Sequence, residues 1–312
     1  MSKLKVLLHY PPWGNRWIPY IREELARYDL SIIDENCPDG EMLGKMSEKA
    51  DLLFSCWCNE TPYFWSKYFP DKKIISYLRR YELWTDTYHE TDYQEIDALI
   101  FVSKFCQESF HRMRQGRTLP KREYLIPNGV DINQFTLREN RPSTKKIAFV
   151  CSLKHVKNVP LAVQLLINLP EEYKIHHIGI PFTDQITGQL ISYIYYHGMF
   201  NTRFNLEGLI KPNEVIGWLQ DKDVLLSTSI NEGNPVNIIE AMAMGIKPVI
   251  HDWPGSRDQF PEDLIYTTID EGVEIIKNDI HEPERYRQWV EDRYPLSNYA
   301  QIHQVIEGVM GA

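Results

Sequence analysis

Short runs of β-favouring residues recur along this chain with helical patterns between them, and that alternation most limits what it can fold into. Such runs stand at Lys5 to His9, Asp51 to Ser55, Lys73 to Tyr77, Ala98 to Val102 and Glu123 to Ile126. Strands alternating with helices signal βαβ units and a parallel sheet. Around Asn128-Gly129 the pattern stops, and the polar stretch Thr136 to Lys146, with Pro142 and several charges, reads as a connector. A second series begins at Lys146 to Cys151 and continues through Tyr173 to Gly179, Phe204 to Leu206, Val224 to Ser227 and Pro248 to Ile250. The expectation is an α/β chain of two doubly wound, Rossmann-like domains facing a cleft, over 1–137 and 145–285. Closing helices follow over 286–312, at Tyr286 to Val290 and Tyr299 to Val309. The length of 312 residues agrees, at roughly 150 residues per domain. Ligands of such sheets sit beyond the carboxyl ends of the strands, where strand order reverses.

Composition narrows the partners. A formal net charge of -9 argues against nucleic acid, whose phosphates call for a basic face. The five cysteines, Cys37, Cys56, Cys58, Cys106 and Cys151, form an odd set without zinc-type spacing. Neither a disulfide framework nor a metal site is expected, and reduced thiols in a cytoplasmic protein fit best. Cys56-Trp57-Cys58 reads as a ligand pair or as strand packing, and its apolar, alternating flank favours packing. The amino terminus has too short an apolar run for a signal peptide, and no stretch approaches the roughly 20 apolar residues that span a bilayer.

The run Asn231-Glu232-Gly233-Asn234-Pro235-Val236-Asn237-Ile238-Ile239-Glu240-Ala241-Met242-Ala243-Met244-Gly245 follows a strand and reads as a helix with both ends marked. Asn234 suits the N-cap, Pro235 the first helical position and Gly245 the left-handed stop. A helix N-terminus presents unpaired N–H groups and the positive end of its dipole, so the backbone from Gly233 to Val236 is a candidate phosphate site. Glu232 then stands just outside the helix and Glu240 inside it. Two carboxylates at different depths beside one anion site can take different roles. The competing readings are a solvated loop carboxylate for Glu232 and a surface helix residue for Glu240. For Glu240 the apolar neighbours weigh against exposure, because a carboxylate there needs a partner.

This segment resembles the Glu-x7-Glu signature of glycosyltransferase family 4, whose fold is the two-domain GT-B arrangement. Ser229, Gly233, Pro235 and the tail Glu240-Ala241-Met242-Ala243-Met244-Gly245 stand in register with it. The resemblance implies that Glu232 lies by the donor sugar and Glu240 hydrogen-bonds the nucleotide ribose. It also implies that backbone N–H groups at Asn234 to Val236 contact the sugar and distal phosphate. The loop Cys151-Ser152-Leu153-Lys154-His155-Val156-Lys157-Asn158 is similar to the family's Gly-Arg-Leu-x3-Lys-Gly loop, whose cations neutralise the donor diphosphate. Lys157 falls on the family lysine. Ser152 stands at the arginine position, Cys151 and Asn158 at the glycines, and Lys154 is the candidate replacement cation, against a reading as a solvated loop lysine. Phe204 to Gly208 and Ile210 to Val215 resemble the segments that frame the nucleobase pocket. Asp258, in Pro254-Gly255-Ser256-Arg257-Asp258, stands where the family has glutamate, with a structural role equally open.

In the first domain, Ile126-Pro127-Asn128-Gly129-Val130-Asp131 with Phe135 resembles the family's hinge, and Ser103 opens a helix as the pattern implies. Resemblance is good from Ala98 to Phe260 and poor before it, where relatives build the acceptor site. Gly14 and Trp13, in the loop after the first strand, and Arg79 and Arg80, near the place of a family histidine, are the acceptor-side candidates. The arginines read as a clamp for phosphate or an anionic acceptor, or as surface ion pairs. Of the aromatics crowding the first hundred residues, most are expected in the core. The basic run His111 to Arg122 reads as a solvated helix end, or as docking on the anionic inner face of a membrane. In relatives the last helix crosses back to the first domain.

The function implied is a retaining transfer of a sugar from a UDP- or GDP-sugar to a hydroxyl of a glycan, lipid-linked glycan or other acceptor, with no cofactor or metal required. Glu232 and Lys157 are the catalytic candidates. Glu240, Gly233, Asn234, Pro235, Val236, Ser152, Lys154 and Ser229 are the donor-binding ones. The alternatives are a nucleotide-sugar 2-epimerase or phosphorylase of the same fold, and a non-catalytic scaffold that keeps the nucleotide-sugar pocket.

Overall fold

The structure, a computed structural model, describes residues 3–11, 16–35, 39–138, 143–180 and 185–311. Trp13, Gly14 and Cys37 lie outside the described residues. The chain divides into two compact units, Met1–Gly129 with Leu296–Ala312, and Val130–Pro295. The division falls at the Asn128-Gly129 turn, ahead of the polar connector.

The first unit holds strands β1 (Lys5–His9), β2 (Asp29–Ile33), β3 (Leu52–Ser55), β4 (Lys73–Leu78), β5 (Ala98–Phe101) and β6 (Glu123–Leu125). Its helices are α1 (Ile18–Leu25), α2 (Gly40–Lys49), α3 (Glu60–Tyr68), α4 (Asp86–Glu90) and α5 (Lys104–Met113). The second unit holds β7 (Lys146–Val150), β8 (Lys174–Ile178), β9 (Phe204–Leu206), β10 (Val224–Ser227), β11 (Lys247–His251) and β12 (Ile265–Tyr266). Its helices are α6 (Val159–Ile167), α7 (Gln185–Tyr196), α8 (Val215–Leu219), α9 (Val236–Ala243), α10 (Ser256–Gln259), α11 (Ile269–Lys277) and α12 (Pro283–Arg293). The last helix, α13 (Gln301–Met310), belongs to the first unit.

Both sheets have six strands, ordered β2-β1-β3-β4-β5-β6 and β12-β11-β10-β7-β8-β9, with every neighbouring pair parallel. Each series is doubly wound, so the expected α/β architecture holds in both units. Two strands escape the sequence pattern. β2 is largely exposed, so it lacks an apolar run, and β12 is only two residues long.

Alternation of side chains across the second sheet separates two cores. Ile147 and Phe149 of β7, Val224 and Leu226 of β10 and Val249 of β11 face α6 and α11. Ala148, Leu225 and Ile250 face α9 and α12, with Ile238, Met242 and Tyr286. Because helices cover both faces, the strands read as continuous apolar runs. In the first unit, α13 closes the fold: His303 Nε2 meets Glu24 Oε2 at 2.7 Å, and the Tyr299 and Tyr20 rings stack 6.1 Å apart.

Cys56 and Cys58 lie in the turn beyond β3 and not in a strand. They remain buried free thiols, as does Cys106, and burial pushes all three up to about 12, so none ionises near neutrality. Trp17, Trp57 and Trp65 are core residues, whereas Trp84 is exposed. Among the described residues no helix is long and apolar enough to cross a membrane, and no group of three His, Cys, Asp or Glu side chains is placed to hold a metal ion.

The tightest backbone approach in the second unit is at Gly179, after β8. Its φ is +154°, and a Cβ there would stand 1.8 Å from the Cys151 carbonyl oxygen. Neither a rotamer nor a side-chain shift relieves a contact with backbone. Gly179→Ala is therefore expected to lower unfolding free energy by at least ~2 kcal/mol in denaturant titration; a loss below about 0.5 kcal/mol would contradict this packing.

Candidate functional site

Strand order in the second sheet reverses between β7 and β10, so the loops after these two strands face each other at the carboxyl edge. They are laced together. The Ile230 N–H donates to the Val156 carbonyl at 2.9 Å, and Thr228 Oγ1 to the Lys157 carbonyl at 2.6 Å. These bonds bring the Lys157 ammonium onto Glu232 Oε1, which also accepts from Ser229 Oγ at 2.7 Å. The Lys157 side chain is 20% exposed and that of Glu232 11%. A carboxylate so far withdrawn from water is tolerable because an ammonium and a hydroxyl both answer it.

The helix beyond begins one step later than the sequence suggests. Pro235 is the N-cap and Val236 the first helical residue, so Asn234 is not the cap. Asn234 instead donates from Nδ2 to Gln259 Oε1 at 2.9 Å, and Gln259 Nε2 donates to the Gly233 carbonyl at 3.0 Å. The first helical bond comes from Ile238 to the Pro235 carbonyl, and the N-cap side chain accepts nothing. Proline has no N–H, so the first-turn N–H groups here are those of Val236 and Asn237. At the other end Gly245 takes the left-handed φ of +72° expected of a stop, and a Cβ there would stand 2.6 Å from the Pro283 Cβ. Glu240 is buried, not a surface residue of α9.

The loop after β7 keeps its shape without glycine. Asn158 adopts φ +46° and ψ 53°, and asparagine tolerates the left-handed region better than most residues. The turn before it, His155–Lys157, is a single 3-10 turn, which aims Lys157 back across the strand ends. Ser152 is half-buried and Lys154 exposed on this loop. Asp258 is exposed. Buried beside it are Ser256, within the segment, and the next residue, Gln259.

Three contributors were not legible beforehand: Thr228, Gln259 and His251. The ring Nδ1 of His251 lies 3.0 Å from the Ser229 carbonyl. All three act on backbone groups of loops distant in sequence, which no local motif encodes. The polar Gln259 between Asp258 and the apolar Phe260 was the one available signal.

In the first unit Arg79 is buried, which removes its reading as a surface ion pair. Its Nε donates to the Cys56 carbonyl at 3.0 Å and its Nη1 to Asn128 Oδ1 at 2.9 Å. The guanidinium lies 3.1 Å from the Trp17 ring centroid. Burial draws its pKa below the ordinary arginine value, opposed by the charges that Tyr299 and Cys56 would carry. Glu82, also buried, accepts from the Arg79 N–H at 3.2 Å and the Arg80 N–H at 2.8 Å, and burial holds its pKa above the usual carboxylate range. Arg80 is half-buried. Within the basic run, Arg114 is buried and donates to Thr118, while His111 and Lys121 meet Glu123 and Asp97.

An acidic and a basic group thus meet at a strand-order reversal beside a helix N-terminus, at the edge where doubly wound folds take their ligands. Residues 133–294 match the family model "Glycosyl transferases group 1". That match spans more than half the chain, so the protein belongs to the group 1 (GT4) glycosyltransferases and is an enzyme that transfers sugar from a nucleotide-sugar donor. Its GT-B fold is shared with solved structures at low identity. Anabaena HepE in complex with UDP-glucose aligns with a TM-score of 0.79 at 14% identity, covering 99% of this chain and 100% of that one. Sucrose-phosphate synthase from Thermosynechococcus elongatus gives 0.77 at 13%, covering 99% and 100%. The lipopolysaccharide outer core galactosyltransferase WaaB, in its apo form, gives 0.70 at 17%, covering 97% and 99%. No curated protein matches the sequence significantly.

Lys157→Met would leave Glu232 without its ammonium. The expected loss of stability is about 1–3 kcal/mol, and adding Glu232→Gln should recover at least about half of it, because the stranded charge is gone. Denaturant melts of the single and double variants check this; strict additivity would contradict the coupling.

Proposed function

We propose that the enzyme moves a sugar from a UDP- or GDP-sugar to a hydroxyl of a glycan or lipid-linked glycan, with retention at the anomeric carbon. The observation that carries the reading is the Lys157–Glu232–Ser229 cluster at the entry to α9. Uridine is the favoured base, because the similar HepE structures are complexes with UDP and UDP-glucose. No metal or cofactor is part of the proposal, since the chain itself supplies positive charge.

The N–H groups of Asn234 and Val236, with the Gly233 backbone, receive the distal phosphate, and Pro235 presets the entry to the helix. Lys157 neutralises the diphosphate as it leaves. Lys154 serves as the second cation in place of the arginine that Ser152 replaces. Glu240 holds the ribose. Glu232, oriented by Ser229, binds the sugar and favours the positive charge that grows at its anomeric carbon. The bond from that carbon to the phosphate oxygen breaks as the acceptor oxygen attacks from the same face. The acceptor proton passes to a phosphate oxygen of the donor, so Glu232 is not the base.

Arg79, buried and stacked on Trp17, and its neighbour Arg80 are proposed on the acceptor side, where they favour an anionic acceptor. Trp13 and Gly14 belong to the same proposal from sequence alone. The buried free thiols fit a cytoplasmic protein working at the inner membrane face, with Arg112 and Arg117 as its contacts.

Glu232→Gln and Lys157→Ala should each lower turnover at least about tenfold with a nucleotide sugar that shifts the melting temperature of the protein. Near-normal rates in either variant would remove the assignment. Donor binding without transfer or hydrolysis in the unmodified enzyme would point to a scaffold, and sugar inversion without acceptor to an epimerase.

A further inference from the structure

The end of the second sheet opposite the α9 entry is not closed. β7, β10 and β11 begin there at Lys146, Val224 and Lys247, around a cavity of about 680 Å³. Its apolar lining comes from Leu137, Ile147, Val224, Ile276 and Pro283. Cations stand among them. Lys247 is 6% exposed, and its Nζ donates to the Asn278 carbonyl at 2.8 Å. It forms no ion pair with a carboxylate among the described residues. Asp279, Asp263 and Glu282 act on it only from a distance, and burial outweighs them and lowers its pKa.

Arg138, with its side chain 9% exposed, lines the same space. Its Nη1 donates to the Lys222 carbonyl, and its Nη2 lies 3.3 Å from His281 Nε2. Two of the lining cations are answered by acids of the same lining, Arg138 Nη1 by Asp223 Oδ1 at 4.0 Å and Lys145 Nζ by Asp279 Oδ1 at 3.7 Å. Asp223 Oδ2 is engaged by the Thr144 and Lys145 N–H groups, both at 2.7 Å, and by Ser143 Oγ at 2.9 Å. The Asp279 side chain is 92% exposed, and Glu284 faces solvent. The lining therefore mixes apolar and polar side chains, and Lys247 is its buried cation with no carboxylate against it among the described residues.

A buried ammonium with a single neutral acceptor is costly unless something answers its charge. A volume of this size accepts a small organic molecule, and such pockets pair an apolar lining with a few polar anchors. We propose that this cavity is a second binding site, separate from the donor site, for an organic anion whose carboxylate or phosphate rests on Lys247 and whose apolar body fills the space beneath Ile147 and Val224.

The test is calorimetric titration of the full chain with 1-naphthyl phosphate and with 1-naphthoate, which separate a phosphate from a carboxylate head. Binding of at least one probe is expected with a dissociation constant below about 1 mM. Lys247→Gln, which keeps the stem and the donor to Asn278, should weaken it at least about tenfold. Ile280→Trp, on a side chain 62% exposed at the mouth, should do the same by closing the entrance, and serves if the lysine variant does not fold. Lys157→Ala should leave probe binding within about twofold. Absence of binding to the unmodified protein, binding unchanged by both cavity variants, or loss of binding in Lys157→Ala would each overturn the proposal.

Discussion

The contact between Lys157 and Glu232 is the constraint on which the rest of the site depends. The two residues are 75 apart in sequence, and they meet because the second sheet reverses its strand order between β7 and β10. The surrounding hydrogen bonds hold them there. Ser229 takes the same carboxylate oxygen, Thr228 holds the Lys157 backbone, and Ile230 ties one loop to the other. The pair costs desolvation and gains a fixed geometry, which is what a site must have before ligand arrives.

Helix α9 is anchored at both ends to serve that geometry. At its entry, Gln259 bonds Gly233 and Asn234, so the turn that opens the helix is stiffened from behind by another loop. At its exit, Arg287 of α12 donates to the Ala243 carbonyl at 2.9 Å, and also to the Phe135 and Ile132 carbonyls. A cation at a helix C-terminus complements the dipole whose positive end faces the site. The helix is eight residues long, too short to be stable alone, and these tertiary contacts supply its order.

Most of this fold was legible in the sequence because period and punctuation carry it. The strand pattern gave both sheets except β2, which is amphipathic only weakly, and β12, which is too short to show a pattern. Glu232, Lys157 and the Gly245 stop were readable from a local motif. The helix cap was misplaced by one residue because the pull of Gln259 on Asn234 is tertiary, and propensity alone favours asparagine as the cap. For Arg79 the sequence left a clamp and a surface ion pair both open; its burial, which removes the second, depends on Trp17, Cys56 and Asn128 converging from separate loops. Asn158 shows the reverse case, in which a departure from the glycine pattern proves structurally neutral because its side chain accepts a left-handed backbone.

In the proposed donor site, the loop after β7 and the entry to α9 together hold the diphosphate of a nucleotide sugar. A crystal structure with UDP and magnesium-free buffer tests it most directly. The expected result is the distal phosphate within hydrogen-bond distance of the Asn234 or Val236 N–H, with Lys157 Nζ turned toward a phosphate oxygen. A diphosphate bound elsewhere in the chain, with Lys157 still closed on Glu232, would contradict it.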